Sequence, residues 1–573
     1  MRIPLSTVAS MLLLAACSSA GDEGTTGPAP TPPVEGPPPS TTPPSATGAG
    51  FVAAPCRFAV PKSVEGKAFR CGDLVVPENR EDTASRTIKV HVIVFKGKEG
   101  GVPTIELNGG PGGSSEMIAQ AMSIGAPFIQ KEYGRFLESG DLVLFDQRGT
   151  GRSLPRLSCD VGMGDRDPVA KCKSQLTGEG IALQGYVTAE SADDVHDLVK
   201  ALGVAKVNLH GISYGTRLAL EILRRHPDDV NATVIDGVVP GQAKLLGDGT
   251  PNLDALVTHV FAACAADAKC NATYPNLDAT LTALKTKLET TPFASKLGGA
   301  YDWYAFQGEW FQRLYGEGEA GKLPFVIHDL SKKTQARFEA DEAKMLEDEE
   351  KAWREMNAEL FAGPLGREVE TRIAADADFD QVTGDMPLGM YMSVVCSDHG
   401  QYESLEEALA ADAKVRPELR DPDSLRAQFE DCAAWPKHAR TPYGLQPITS
   451  SKPVLVIGGE VDPATPLAWA KTAASSLSAS QLVEMKGGAH GAMDECAVGM
   501  KLSFLQSGKP VDSSCTQPRK LEFFYESAPS FHSRRPSISK DTLTAHILRG
   551  GAPRDLSLRA LRGDRARRSR ARW

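Results

Sequence analysis

The stretch Val207–Leu220, VNLHGISYGTRLAL, passes from a β-branched apolar run through a Gly-x-Ser-x-Gly turn into an amphipathic helical pattern. Where a strand turns this sharply into a helix, a serine is projected outward and its flanking glycines let strand and helix approach closely. The N-terminus of the following helix aims backbone N–H groups at the same point. Glycine makes up 54 of the 573 residues, so such a pattern arises by accident roughly a few tenths of a time in a chain this long. The surrounding elements must decide whether Ser213 is a nucleophile.

Other apolar, β-rich runs end in turns of the same kind: TIKVHVIVF (87–95), VPTIEL (102–107), DLVLFD (141–146), ATVIDG (232–237), PVLVIGG (453–459) and QLVEM (481–485). Helical patterns such as SADDVHDLVKALG and GTRLALEILRRH lie between some of them. Strands alternating with helices predict an α/β fold with a mostly parallel, doubly wound sheet. The strand pattern stops near Pro240 and resumes near Lys452, so the core is expected in two parts, 51–240 and 452–530. Residues 241–451 between them are helix-biased and charged, the composition and position of a cap inserted over a site.

A serine hydroxyl needs a base to take its proton and a third group to orient that base. Asp462 follows the strand PVLVIGG, and His490 lies in the loop after the next strand, within GGAHG. The order Ser, Asp, His is that of the α/β-hydrolase fold. Asp236, at the end of ATVIDG, and Glu460 are rival acids. The N–H of Tyr214 is one expected oxyanion donor, and the Gly-rich turn IELNGGPGGSS (105–115) supplies another, Gly110, with Gly109 next.

The first residues, MRIPLSTVASMLLLAAC, combine an early Arg, a short apolar run and small residues, the pattern of an export signal. The LAAC ending resembles a bacterial lipobox, which would place a lipid anchor on Cys17. Residues 18–50, rich in Pro, Gly, Ser and Thr, read as a tether without a core of its own. Setting Cys17 aside from the 11 cysteines leaves ten, an even number that suggests five disulfides in an exported chain. Spacing invites pairing of neighbours: Cys56 with Cys71, Cys159 with Cys172, Cys264 with Cys270, Cys396 with Cys432, and Cys496 with Cys515. No pair has C-x-x-C spacing and no His clusters with one, so neither a metal nor another cofactor is expected. A net charge of −10 argues against nucleic acid as a partner, despite the basic, disordered-looking tail at 531–573.

Taken in order, LNGGPGG, DQRGTGRS (146–153), GISYGT, GGEVDPATP and GGAH resemble the proline iminopeptidase and tripeptidyl aminopeptidase group of α/β-hydrolase serine peptidases, especially its secreted, cysteine-rich bacterial members. The resemblance runs from about Cys56 to Cys515. It implies Ser213 as nucleophile, Asp462 as acid, His490 as base, Gly110 and Tyr214 as oxyanion donors, and a bracing role for Asp146 and Arg148. Asn108 stands where simpler members carry His. The resemblance further implies an acid near the cap that holds the substrate's α-ammonium, for which Asp398 and Glu309 are the candidates. The expected function is an envelope-located, lipid-anchored serine exopeptidase acting on peptides. A carboxylesterase or lipase with the same triad and an inactive surface binding protein are the alternatives; oligomeric state has no signature in the sequence.

Overall fold

Strands and helices follow from where apolar side chains can be hidden. The computed structural model describes residues 50–161, 165, 167–296, 299–376, 386–437, 444–516 and 520–525. The export segment, Cys17, nearly all of the tether and the basic tail lie outside the described residues. One sheet of nine strands runs in the order β1-β2-β3-β5-β4-β6-β7-β10-β11. These are β1 (Gly50–Ala53), β2 (Phe69–Pro77), β3 (Thr87–Phe95), β4 (Thr104–Leu107), β5 (Leu142–Phe145), β6 (Val207–Ile212), β7 (Val230–Asp236), β10 (Val454–Gly459) and β11 (Ser480–Met485). β8 (Phe293–Ala294) and β9 (Ala300–Tyr301) form a separate ribbon.

From β5 to β11 every pairing is parallel. The edge made by β1, β2, β3 and β5 is antiparallel. All residues of β4, β5, β6 and β10 are buried, because helices cover both faces and leave no side for polar alternation. The helices Thr188–Leu202, Tyr214–Arg225 and Leu467–Ser475 close one face over a core that includes Leu74, Val90, Leu209 and Leu218. Helices Glu116–Ser123 and Glu495–Ser507 close the other, over Ile93, Leu144, Val234 and Ile457.

Between β7 and β10 the chain makes helices that include Gly249–Ala266, Leu277–Thr290, Trp303–Arg313, Leu323–Lys332 and Gln335–Leu360. They bury a third core of their own, with Val260, Leu284, Trp303, Phe306 and Trp310. Phe523, Phe524 and Tyr525, from the far end of the described chain, pack against that core. Tyr274 Oη donates to Phe524 O at 2.6 Å and Phe524 N to Gly321 O at 3.3 Å, fastening this strap to the insertion. Five disulfides join Cys56–Cys71, Cys159–Cys172, Cys264–Cys270, Cys396–Cys432 and Cys496–Cys515. Among the described residues no helix is long and apolar enough to cross a membrane.

Candidate active site

Ser213 follows β6 directly and has φ 55° and ψ −128°, a left-handed position that side chains other than glycine seldom occupy. Such strain persists only where the surroundings enforce it. Here Ser213 N donates to Asp236 O at 3.1 Å, and Thr216 donates to Ser213 O through N at 2.9 Å and Oγ1 at 2.6 Å. The Ser213 hydroxyl makes no capping bond to the helix it precedes. Glycine is required beside it, because a Cβ on Gly215 would stand 1.8 Å from Leu107 O. A Cβ on Gly109 would stand 2.9 Å from the Cβ of Ser213 itself.

Asp462 and His490 come from the loops after β10 and β11, and each is nearly fully buried. His490 Nδ1 lies 2.8 Å from Asp462 Oδ2. Thr465 Oγ1 donates to the same oxygen at 2.6 Å and is 3.1 Å from Nδ1. The second oxygen, Asp462 Oδ1, accepts from Ala464 N and Thr465 N, both at 2.8 Å. Burial pushes the Asp462 carboxyl up, but the His490 charge and these hydrogen bonds outweigh it and hold the group below its usual value. With Nδ1 committed to Asp462, Nε2 is the nitrogen left to serve as base. A Cβ on Gly237, the residue after Asp236, would stand 3.1 Å from His490 Cε1, so the imidazole lies against the turn that also holds Ser213 N.

The rival acids are engaged elsewhere. Asp236 Oδ2 takes Lys501 Nζ at 2.7 Å and Ala492 N at 2.8 Å. Glu460 Oε2 accepts from Gly487 N at 2.9 Å.

The Gly-rich loop after β4 lies beside the elbow, since β4 and β6 are adjacent. Gly110 has φ 118°, and a Cβ there would meet Met386 Sδ at 3.1 Å. Pro387 lies equally close to Gly112, so the insertion reaches down to this loop. The buried Asp146 fastens it, accepting from Ser115 N and Arg152 N, each at 2.6 Å. Burial raises the Asp146 carboxyl to about 6 against the pull of those two bonds. Asn108 Nδ2 donates across the loop to Ser115 Oγ at 2.7 Å, a brace rather than a charged group at this position. Arg148 turns the other way, binding both oxygens of Asp194 at 2.7 and 2.6 Å in full burial. The neighbouring Tyr214 side chain is buried, its Oη 2.8 Å from Thr188 Oγ1.

Asp398 sits in that same network, accepting from Thr188 N at 2.9 Å through Oδ2. Its Oδ1 is buried without a hydrogen-bond partner among the described residues, and burial raises its carboxyl to about 6. Glu309 spends one oxygen on Arg313 and the other on Tyr301 Oη, at 2.7 Å in each case. The residues of the insertion that come to His490 are ones sequence reasoning missed. The Tyr315 ring stands edge-on to the imidazole at 4.8 Å, and Glu317 Oε1 accepts from Ala489 N at 3.2 Å. Only their distance in sequence from any motif hid them.

Among the described residues, two clusters have ligand-type side chains. Cys56, Cys71 and His91 are committed to a disulfide and to bonds with Asp73 and Arg57 N. His196 and His226, near Asp229, stack at 4.1 Å with planes 10° apart, so their in-plane lone pairs do not converge on one ion.

A family profile described as "alpha/beta hydrolase fold" matches residues 107–317, and one described as "TAP-like protein" matches residues 422–515. Serine protease Hip1 of Mycobacterium tuberculosis is 27% identical over 212 residues, 33% of this chain and 39% of that protein. Tripeptidyl aminopeptidase of Streptomyces coelicolor is 28% identical over 217 residues, 34% of this chain and 36% of that protein. Proline iminopeptidase of Arabidopsis thaliana is 28% identical over 151 residues, 26% and 30% respectively. The matching stretches thus span about two fifths or less of these relatives. With its mostly parallel sheet and the serine turn after β6, the chain has the α/β-hydrolase fold, and its C-terminal part is similar to the TAP-like proteins.

Proposed function

We propose that the protein is an extracytoplasmic serine exopeptidase that releases N-terminal residues or tripeptides through an acyl-enzyme at Ser213. The observation that carries this reading is the buried Asp462–His490 pair, seated against the turn that holds the strained Ser213. In the reaction Ser213 Oγ attacks the scissile carbonyl while His490 Nε2 takes its proton. Asp462 stabilises the resulting imidazolium. The N–H groups of Tyr214 and Gly110 receive the negative oxygen. Collapse breaks the C–N bond, and His490 returns the proton to the leaving amine. A water molecule, deprotonated by His490, then hydrolyses the ester and frees Ser213.

An exopeptidase also needs a carboxylate for the free α-ammonium, which fixes the register of the scissile bond. Asp398, whose Oδ1 has no hydrogen-bond partner among the described residues, fits that role better than Glu309, whose oxygens are both taken, and Glu317 lies beside the His490 loop as a second candidate. Residues 241–451 act as the cap, contributing Met386 over Gly110 and Tyr315 against His490. Peptidase relatives support peptide substrates, and the five disulfides support a site outside the cytoplasm. The lipobox at Cys17 supports a lipid anchor at the cell envelope, so Cys17→Ser should move the protein from the membrane to the soluble fraction.

Matched tripeptidyl and prolyl amides, free and N-acetylated, with short acyl esters alongside, test the reading. Acetylation leaves the amine-binding carboxylate unpaired, at a cost of about 2 to 5 kcal/mol, which is roughly 30-fold to several thousand-fold in kcat/KM. Asp398→Asn or Glu317→Gln should erase that ratio. Equal kcat/KM on free and acetylated amides would reject the exopeptidase and favour the esterase alternative.

A further inference from the structure

We propose that Lys501 and Asp236 form a positioning clamp that fixes the His490 loop to the turn carrying Ser213; the proposal rests on the triad reading above. Asp236 ends β7 and is used twice. Its main-chain oxygen accepts from Ser213 N at 3.1 Å, and its carboxylate Oδ2 accepts from Ala492 N at 2.8 Å, two residues beyond His490. Lys501, from the helix Glu495–Ser507, closes the ring. Its Nζ donates to the same Oδ2 at 2.7 Å and to Ala492 O at 2.8 Å. Both partners are 1% exposed.

Such a pair is a poor way to gain stability alone. Removing an ammonium and a carboxylate from water offsets most of their attraction, and apolar residues of like volume hold a core together as well or better. What the charged ring supplies is direction, since it holds both the N–H and the C=O of Ala492 in one orientation. Asp462 restrains the imidazole from the opposite side through Nδ1. Between them the ring rests against Gly237, the residue after Asp236. Through one residue, the nucleophile's backbone and the base's loop therefore share an anchor.

The test uses Lys501→Met, Asp236→Asn and the double variant in the full chain. Active sites are counted by stoichiometric fluorophosphonate labelling of Ser213, and kcat and KM are measured per labelled site on a peptide p-nitroanilide, with Tm alongside. Displacing the base loop by about 1 Å should lower kcat about 100-fold with KM within about twofold. Because both singles break the same ring, the double should be no slower than the slower single. The double buries no unpaired charge, so it decides the matter should a single variant fail to fold. Folded variants with wild-type kcat per labelled site, whatever their Tm, would overturn the clamp while leaving the triad standing. A double whose loss is the product of the two single losses would overturn it equally. Absence of labelling at Ser213 in the wild type would overturn both the clamp and the triad reading beneath it.

Discussion

Replacing Asp462 by Asn tests the acid more sharply than deleting it. Asp462 Oδ1 is held by two backbone N–H groups, from Ala464 and Thr465. In Asp462→Asn the amide oxygen must stay there, because an NH₂ group would face two donors. The NH₂ is then forced into the place of Oδ2, 2.8 Å from His490 Nδ1. It can only donate, so Nδ1 must accept and the ring proton moves to Nε2. A protonated Nε2 cannot take the serine proton. By analogy with other triads the loss in kcat is about 10⁴-fold, or about 5.4 kcal/mol of transition-state stabilisation. Asp462→Ala should be less harmful, because Thr465 Oγ1 stands 3.1 Å from Nδ1 and can accept its proton. The assay is kcat on a tripeptidyl p-nitroanilide, normalised to sites labelled by a fluorophosphonate. A loss below about tenfold in Asp462→Asn, or an Ala variant slower than the Asn variant, would refute the tautomer argument.

The same structure sets other expectations. Gly109→Ala would bring a methyl group 2.9 Å from Ser213 Cβ, and moving the nucleophile should lower kcat about 10-fold to 100-fold with the fold intact; an unchanged kcat would show that the loop yields instead. Arg148→Met leaves Asp194 and Glu190 short of a buried cation and should destabilise by about 3–5 kcal/mol in urea unfolding, with kcat per labelled site unchanged. The contribution of four buried carboxyls to folded stability should peak at about pH 4. Asp146 and Asp398 are raised to about 6 by burial, so the native state binds extra protons between about pH 4 and 6, and stability falls as pH rises through that window. Asp462 and Asp73 are held low by their partners against burial, so the stability they contribute is present above about pH 4 and lost as pH falls below it. Thermal unfolding across pH reads both limbs, and Asp398→Asn should flatten the upper one.

The parallel strands were legible because burial on both faces makes each a near-continuous apolar run. β2 was not: Cys71, Gly72 and Asp73 interrupt FRCGDLVVP with residues that look like a turn. The interruption is tolerated because the Asp73 carboxylate is met by Arg57 at 3.0 and 2.7 Å and by His91 at 2.9 Å. Ser213, Asp462 and His490 were expected together because each follows a strand, and the structure brings the latter two within 2.8 Å of one another. Tyr315, Glu317 and Met386 had no such mark. They come to the site only through packing of the insertion, and helical periodicity does not say which loop will face a distant strand end. DQRGTGRS was recognisable as a brace, but the division of labour was not, for Asp146 holds the glycine loop while Arg148 binds the helix Thr188–Leu202.

The aromatic strap has a consequence in time. Phe523, Phe524 and Tyr525 pack against the core of helices that begin at Gly249, so a segment near the end of the described chain completes a layer laid down much earlier. A polypeptide made from its N-terminus delivers those rings only after the helices they pack against. Until then the insertion lacks part of its aromatic filling and the hydrogen bonds from Tyr274 and Phe524. The packing of the insertion is therefore finished only after β10 and β11 have been made.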